Sequence, residues 1–578
     1  MASAAIPAST SDHPKQNWVV NPLVDWLFII GTPILSLVWA IAIFKWYGPK
    51  WIWPIFIVFN TAHQFPTFIR IYGDKALMEK FRWRLLLGPV IPFVLAMSAV
   101  VYLITDGQSV ERFVFLMLLL NLWDPYHFLM QHYGFMRIYD RHNAAPQKLA
   151  SWMDYAISLT WFVYIMLAVA DWLPRVLYDL QLLHGIPIAA LFASGIYPLL
   201  EQTAFLVAVV TSVIYAGYVI WCFRKGFYVS HAKLFLLLIT FAVMLLTYAP
   251  NDLIQRLLPG WTFYHGFAVL GMVHVTQYLA IVWIYNQNLT TKEGRAREGT
   301  FKQWFSRRQL PFITLYVAIC LAYGLALADF SESFYLKPIQ AVAESAIPWV
   351  IGFVSAIGFT STFLHYYYDG FIWKVRHKEN RENLSMTETA SSNSPGVIKS
   401  WWESRSQLTL LTTLGRQAVY FLPPILFLIV TYGLAHKKDI RPPIEQLGLA
   451  HQLWQEGQRD ASQQALVLAI QSIDQQLEFE RLMLKIRPQP KHYLYIANLL
   501  YSRSQNVNLV TNPPAVLEHR QEVQKAIAAL EKVLTFPEPY WHRESSEVPT
   551  EVIQQTIERW QSEIGNFSTT GATLAPQS

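Results

Sequence analysis

The chain has 578 residues, of which 53% are hydrophobic and 15% charged, with a formal net charge of +6. Soluble globular proteins carry nearer a quarter charged residues, so this composition excludes an ordinary soluble protein over most of the length. The positive balance does not call for a polyanion. Lys and Arg gather in alternate short loops between apolar runs, as expected of residues kept on the cytoplasmic side of a bilayer, and no nucleic-acid partner is expected.

Residues 1–23 form a polar N-terminal segment. It lacks the basic stretch, apolar core and small-residue cleavage site of a secretory signal, so the first apolar run is expected to be retained. A helix needs about 20 apolar residues to cross a bilayer. Such runs fall at 24–46, 51–73, 85–105, 113–136, 152–171, 203–223, 232–249, 262–285, 311–328, 347–373 and 417–435. They predict an all-α transmembrane bundle of about eleven spans over 24–435. The stretch 186–200 is short and interrupted by prolines, and reads as an interfacial or re-entrant piece. Cys222 and Cys320 lie inside apolar runs, too far apart in sequence for a CxxC pair, and read as small buried hydrophobes.

Loop charge orients the bundle. Lys75, Lys80, Arg82 and Arg84 follow the second run, Arg137, Arg141 and Lys148 the fourth, and Arg224, Lys225 and Lys233 the sixth. The loops after the eighth and tenth runs are richly basic too, whereas the intervening loops hold few Lys or Arg. The pattern puts the N-terminus inside and the C-terminus outside, with Lys437, Lys438 and Arg441 as the one discordant group. Helical spans with this bias suit an inner (cytoplasmic) membrane. Residues 377–400, rich in Ser, Thr, Asn and Glu, read as a flexible cytoplasmic loop.

From residue 440 to 560 the pattern turns to soluble amphipathic helices, followed by a polar tail, 561–578, expected to be disordered. Leu447, Ala450 and Gly457 precede Ala465 and Ala469, and Tyr493 and Ala497 precede Ala526, Leu530 and Pro537. Over about 100 residues this loosely resembles tetratricopeptide repeats, in which a small residue and a glycine in one helix precede alanines in the next and then a proline. The second unit lacks the glycine and carries an insertion near Asn506–Pro514. The resemblance implies a protein-docking surface; a plain helical hairpin domain is the alternative.

Chemistry is concentrated in polar groups within four apolar runs, where such groups are costly and mark function. The second run holds Asn60, His63 and Arg70, and Pro66 is expected to interrupt its hydrogen-bond ladder and free carbonyls toward a cavity. The fourth holds Asp124, His127 and His132. A separation of five residues sets the two histidines about 140° apart, so they share an ion only if the helix loosens. The eighth holds His265 near one end and, deeper, His274 with Gln277. The tenth holds His365 and Asp369, four apart and about 40° round the helix, so both can face one ion.

Around these two residues the sequence resembles a His-Tyr-x-x-Asp-x-x-Ile-Trp-Lys/Arg motif of uncharacterised bacterial multi-pass membrane proteins. The resemblance covers about ten residues and implies a bacterial source but no activity. All four runs share one direction in the eleven-span scheme and bring their histidines to similar depth.

The expected metal ligands are therefore His63, His127, His132, His274, His365, Asp369 and Asp124, with Asn60 and Gln277 as supporting donors. Imidazole with carboxylate suits iron, mononuclear or di-iron, in an oxidoreductase acting on a lipid or other apolar substrate. The His127–His132 spacing is similar to one histidine box of membrane desaturases and hydroxylases, although no His-x-x-His-His box is present. Two alternatives stand beside it. One is haem between facing histidines, with Arg70, Lys374 and Arg376 at its propionates or at a lipid headgroup. The other is a metal-free transporter or lipid-handling scaffold. A dolichol-type glycosyltransferase is disfavoured, since Lys45–Trp53 contains no acidic residue.

Overall fold

The structure is a computed structural model. It describes residues 18–105, 114–169, 196–248, 252–258, 261–291, 305, 310–331, 348–372, 443–486, 489–510, 516–536 and 550–567. Among them all regular structure is helical, as the apolar periodicity predicts. The expected span at 417–435, the loop at 377–400, most of the 186–200 stretch, Lys374 and Arg376 lie outside the described residues, as does the polar tail from residue 568. The chain divides into two compact units, one of residues 1–164, 205–247 and 264–428, the other of 165–204, 248–263 and 429–578.

In the first unit α1 (Pro22–Asp25) and a π-helical turn (Trp26–Ile30) lead into α2 (Thr32–Trp46). The two limbs meet at 56°. Pro33 has no N–H for the carbonyl of Ile29, and that carbonyl instead accepts a hydrogen bond from Gln277 Nε2 at 2.8 Å. The second expected span is likewise broken, into α3 (Ile52–Ala62) and α4 (Phe65–Gly73). Pro66 sits at the start of α4, where its missing N–H costs least. Further helices are α5 (Lys75–Leu87), α6 (Val90–Thr105), α7 (Val114–Tyr139) and α8 (Gln147–Ala168). These are followed by α9 (Tyr197–Arg224), α10 (His231–Tyr248), α12 (Phe263–Thr291), α13 (Leu310–Ser331) and α14 (Pro348–Ile372), while the short α11 (Asp252–Leu257) belongs to the second unit.

Among the described residues five helical stretches are long and apolar enough to cross a membrane, and six if the bent α1–α2 segment counts as one. Many large apolar side chains point outward, among them Phe205, Leu206, Val213, Ile214 and Phe223 on α9. Such a surface is unsuited to water and suited to hydrocarbon. The second, fourth, fifth and tenth expected spans are occupied by helices (α3–α4, α7, α8 and α14), but these do not meet the same measure of length and apolarity. Cys222 and Cys320 are both buried and free, in keeping with their reading as core residues.

Two features hold the helices in register. Gly324 on α13 lies directly under the carbonyl of Val58 on α3, and a Cβ there would also come 2.9 Å from Ala62 Cβ. The missing side chain permits that approach. We expect Gly324→Ala to destabilise the protein by about 1–3 kcal/mol through overpacking, read as a lower melting temperature in detergent. The second feature is a buried ion network. Asp154 of α8 accepts from Arg137 Nη1 of α7 (2.5 Å), Lys233 Nζ of α10 (3.1 Å) and Tyr215 OH of α9 (3.0 Å). Asp140 pairs with the same two cations. Close by in sequence, Tyr139 donates to Asp25, which also caps the backbone N–H groups of Val19 and Val20.

The second unit contains the C-terminal helices α15 (Pro443–Gln455), α16 (Arg459–Ile486), α17 (Pro490–Val510), α18 (Val516–Val533) and α19 (Thr550–Phe567), each packed on the next. Gly457 turns α15 into α16 with φ +78°, a conformation that disfavours side chains. Ala450 and Ala465 pack where α15 meets α16, and Ala497, Val523, Ala526, Leu530 and Trp560 form the core beyond. The alanines singled out in sequence are thus contact positions. The second of these helices, α16, runs for 28 residues.

Candidate metal centre

The break between α3 and α4 creates the first ligand. In an unbroken helix the Asn60 carbonyl would accept from the N–H of Gln64. Here Gln64 N–H turns to Thr61 O (3.2 Å), and the released Asn60 carbonyl is bonded by His63 Nδ1. This commits His63 Nδ1 as the donor, since a carbonyl only accepts. Nε2 is left as a bare lone pair pointing inward, the usual arrangement for a ligating histidine. Gln64 fixes the break against α14: its Nε2 donates to Thr362 Oγ1 (3.0 Å) and its Oε1 accepts from Ser361 Oγ (2.6 Å).

Facing His63 are His274 of α12 and His365 of α14. The Nε2 atom of His63 lies 3.1 Å from the Nε2 of each. All three residues are buried. His127 of α7 closes a further side, with its ring centroid 5.0 Å from those of both His274 and His365. Asp369 Oδ2 lies 3.6 Å from His127 Nε2 and 3.8 Å from His365 Nε2. Two groups therefore offer ligand atoms within 4.8 Å of one another: His63, His274 and His365, and His127, His365 and Asp369. They share His365.

The surrounding groups complete the arrangement. Tyr278 OH donates to Asp369 Oδ1 (2.7 Å), and Thr67 Oγ1 lies 2.5 Å from Tyr278 OH and 2.7 Å from His365 Nδ1. The ring of Tyr366 packs 4.9 Å from that of His127, while its hydroxyl donates to Asp124 (2.8 Å). Gln131 Nε2 donates both to the His274 carbonyl and to Gln277 Oε1, each at 3.1 Å.

Of the seven ligands expected from sequence, five converge: His63, His127, His274, His365 and Asp369. Two do not. α7 stays regular past His127, so His132 points elsewhere and packs edge-on against Phe241 of α10, with ring centroids 5.3 Å apart. Asp124 is held by Tyr366 and belongs to neither ligand group. Asn60 serves through its backbone carbonyl, and Gln277 braces Ile29 and Gln131. Arg70 is buried, its guanidinium 3.9 Å above the ring of Tyr285. His265 packs against Phe44 near the far end of α12, apart from the cluster.

Thr67, Tyr278, Tyr366 and Gln131 were not anticipated as part of the site. Thr67 and Tyr278 each follow a ligand histidine by four residues, one helical turn, and that spacing was the available signal. No protein-family model, curated protein or solved structure matches this chain.

Proposed function

We propose that the chain is an integral membrane protein of about eleven spans that holds a transition metal, iron, inside the bilayer. In this reading His63, His127, His274, His365 and Asp369 bind the ion, and the protein is an oxidoreductase acting on a lipid or other apolar substrate. The observation that carries it is the pair of 3.1 Å separations between Nε2 atoms of buried histidines, with His63 already committed to ligation by its Nδ1 donor. With metal–nitrogen bonds of about 2.1 Å, such a separation subtends about 95° at the ion. A tetrahedral site needs about 3.4 Å. The angle suits five- or six-coordination, and four imidazoles with a carboxylate suit iron or manganese better than structural zinc.

The haem alternative is less well supported. Axial nitrogens on one haem lie about 4 Å apart across the macrocycle, twice an iron–nitrogen bond of about 2 Å. Rings in edge-to-face contact at 4.6 and 4.7 Å leave no slab for a porphyrin. In a metal-free transporter His274 or His365 would instead donate an Nε2–H to the His63 Nε2 lone pair across the same 3.1 Å, and metal analysis separates the two readings. The apolar substrate follows from position: a centre within hydrocarbon-facing helices meets lipid-phase molecules first. The C-terminal helices are assigned as a tetratricopeptide-like protein-docking domain outside the cytoplasm of a bacterial inner membrane, on the alternation of loop charge.

Elemental analysis and an absorption spectrum of the purified full-length chain test the centre together. We expect iron near one equivalent per chain without a Soret band. A Soret band would favour haem, and a chain free of transition metal after expression in iron-replete medium would refute the reading.

A further inference from the structure

We propose that His274 is the exchangeable ligand of the centre, the imidazole that gives way when a small monodentate ligand from outside binds the metal. The inference rests on the metal reading above and adds to it which coordination position opens.

The three imidazoles whose Nε2 atoms meet, those of His63, His274 and His365, differ in what holds their other ring nitrogen. His63 Nδ1 is bonded to the Asn60 carbonyl, and His365 Nδ1 lies 2.7 Å from Thr67 Oγ1. A neutral imidazole that ligates through Nε2 carries its proton on Nδ1, so in both of these residues that proton has an oxygen to accept it. His274 has no such oxygen. The residue is only 3% exposed, and its buried Nδ1 has no hydrogen-bond partner among the described residues.

An acceptor on the outer N–H fixes the plane of a ligating ring and makes its ligating nitrogen a stronger base, and loss of such a partner typically costs 10–100-fold in metal affinity. His63 and His365 keep both advantages, and His274 has neither. Its ring is placed by packing, with centroids 4.7 Å from that of His63 and 5.0 Å from that of His127, both edge-on. Such contacts confine the ring but add no basicity to Nε2. The backbone beneath it is held firmly: Gln131 Nε2 donates to the His274 carbonyl at 3.1 Å and ties α12 to α7. The helix can therefore stay in place while the ring turns aside about its own side-chain bonds. Of the three imidazoles, His274 is thus the one whose departure costs the centre least.

The test is titration of the metal-stripped full-length protein in detergent with Co²⁺, a probe whose visible spectrum reports coordination, followed by azide as the outside ligand. Wild type is compared with His63→Ala, His365→Ala and His274→Ala. Loss of a direct ligand should weaken cobalt binding upward of about 100-fold in His63→Ala and His365→Ala, whereas His274→Ala, where 10–100-fold is already forgone, should stay within about 10-fold of wild type. Azide should shift the visible bands of the wild type. The azide-saturated spectra of wild type and His274→Ala should coincide, since azide then stands in the His274 position in both. Size-exclusion profiles matching the wild type exclude misfolding, and the azide response of the wild type needs no substitution. His274→Ala weakened as much as His63→Ala would overturn the inference, as would wild-type bands that azide leaves unmoved or azide-saturated spectra that differ between the two proteins. A wild type that binds no cobalt would instead remove the metal reading and this inference with it.

Discussion

On the proposed iron reading, replacing His365 with Ala should empty the centre, lowering bound iron from near one equivalent to below a tenth per chain. His365 belongs to both ligand groups, and its Nε2 is the atom through which they meet. Its loss would remove from the proposed centre the one residue that both ligand groups share. Because losing an outer partner already costs 10–100-fold, losing a direct ligand should cost upward of about 100-fold. The contrast that gives this result meaning is His132→Ala. His132 is equally buried and lies on the same helix as His127, but it faces Phe241. That variant should keep its metal. Equal loss in both variants would point to general disruption of the bundle and would count against the assigned ligands.

The second large effect is structural. Asp154→Asn should lower the melting temperature of the detergent-solubilised protein by on the order of 5–10 °C. Asp154 is fully buried and accepts from Arg137, Lys233 and Tyr215, on three other helices. Two cations and two carboxylates balance in this network, with Asp140 as the other acid. Neutralising one acid leaves a buried positive charge uncompensated, and breaking a buried pair from one side typically costs about 3–5 kcal/mol. The double variant Asp154→Asn with Lys233→Met removes the stranded charge as well. It should recover part of the loss, a coupling that a thermal-melt double-mutant cycle measures directly. Additive losses would show that the network does not share its charge in this way.

Much of the site could be read from the chain because burying a polar group in an apolar run is expensive, and the cost makes such groups conspicuous. His63, His274, His365 and Asp369 stand out on that ground, and the four-residue step from His365 to Asp369 already placed both on one helix face. The break at Pro66 was also legible, since proline removes a backbone donor wherever it stands. The 140° separation of His127 and His132 showed that a regular helix could supply only one of them to a shared site.

The sequence by itself determined the helical character, the apolar runs, the acidic and imidazole groups within them and the alternating charge of their loops, because these follow from local periodicity and from the free energy of moving side chains between water and hydrocarbon. Only the tertiary structure decided which faces meet. The rotation of one helix about its axis relative to its neighbours is set by packing, such as the Gly324 approach to Val58, and leaves no trace in the periodicity of either helix alone. That rotation selected His127 over His132, turned Asp124 toward Tyr366, and brought Thr67 and Tyr278 between His365 and Asp369, from helices far apart in the chain.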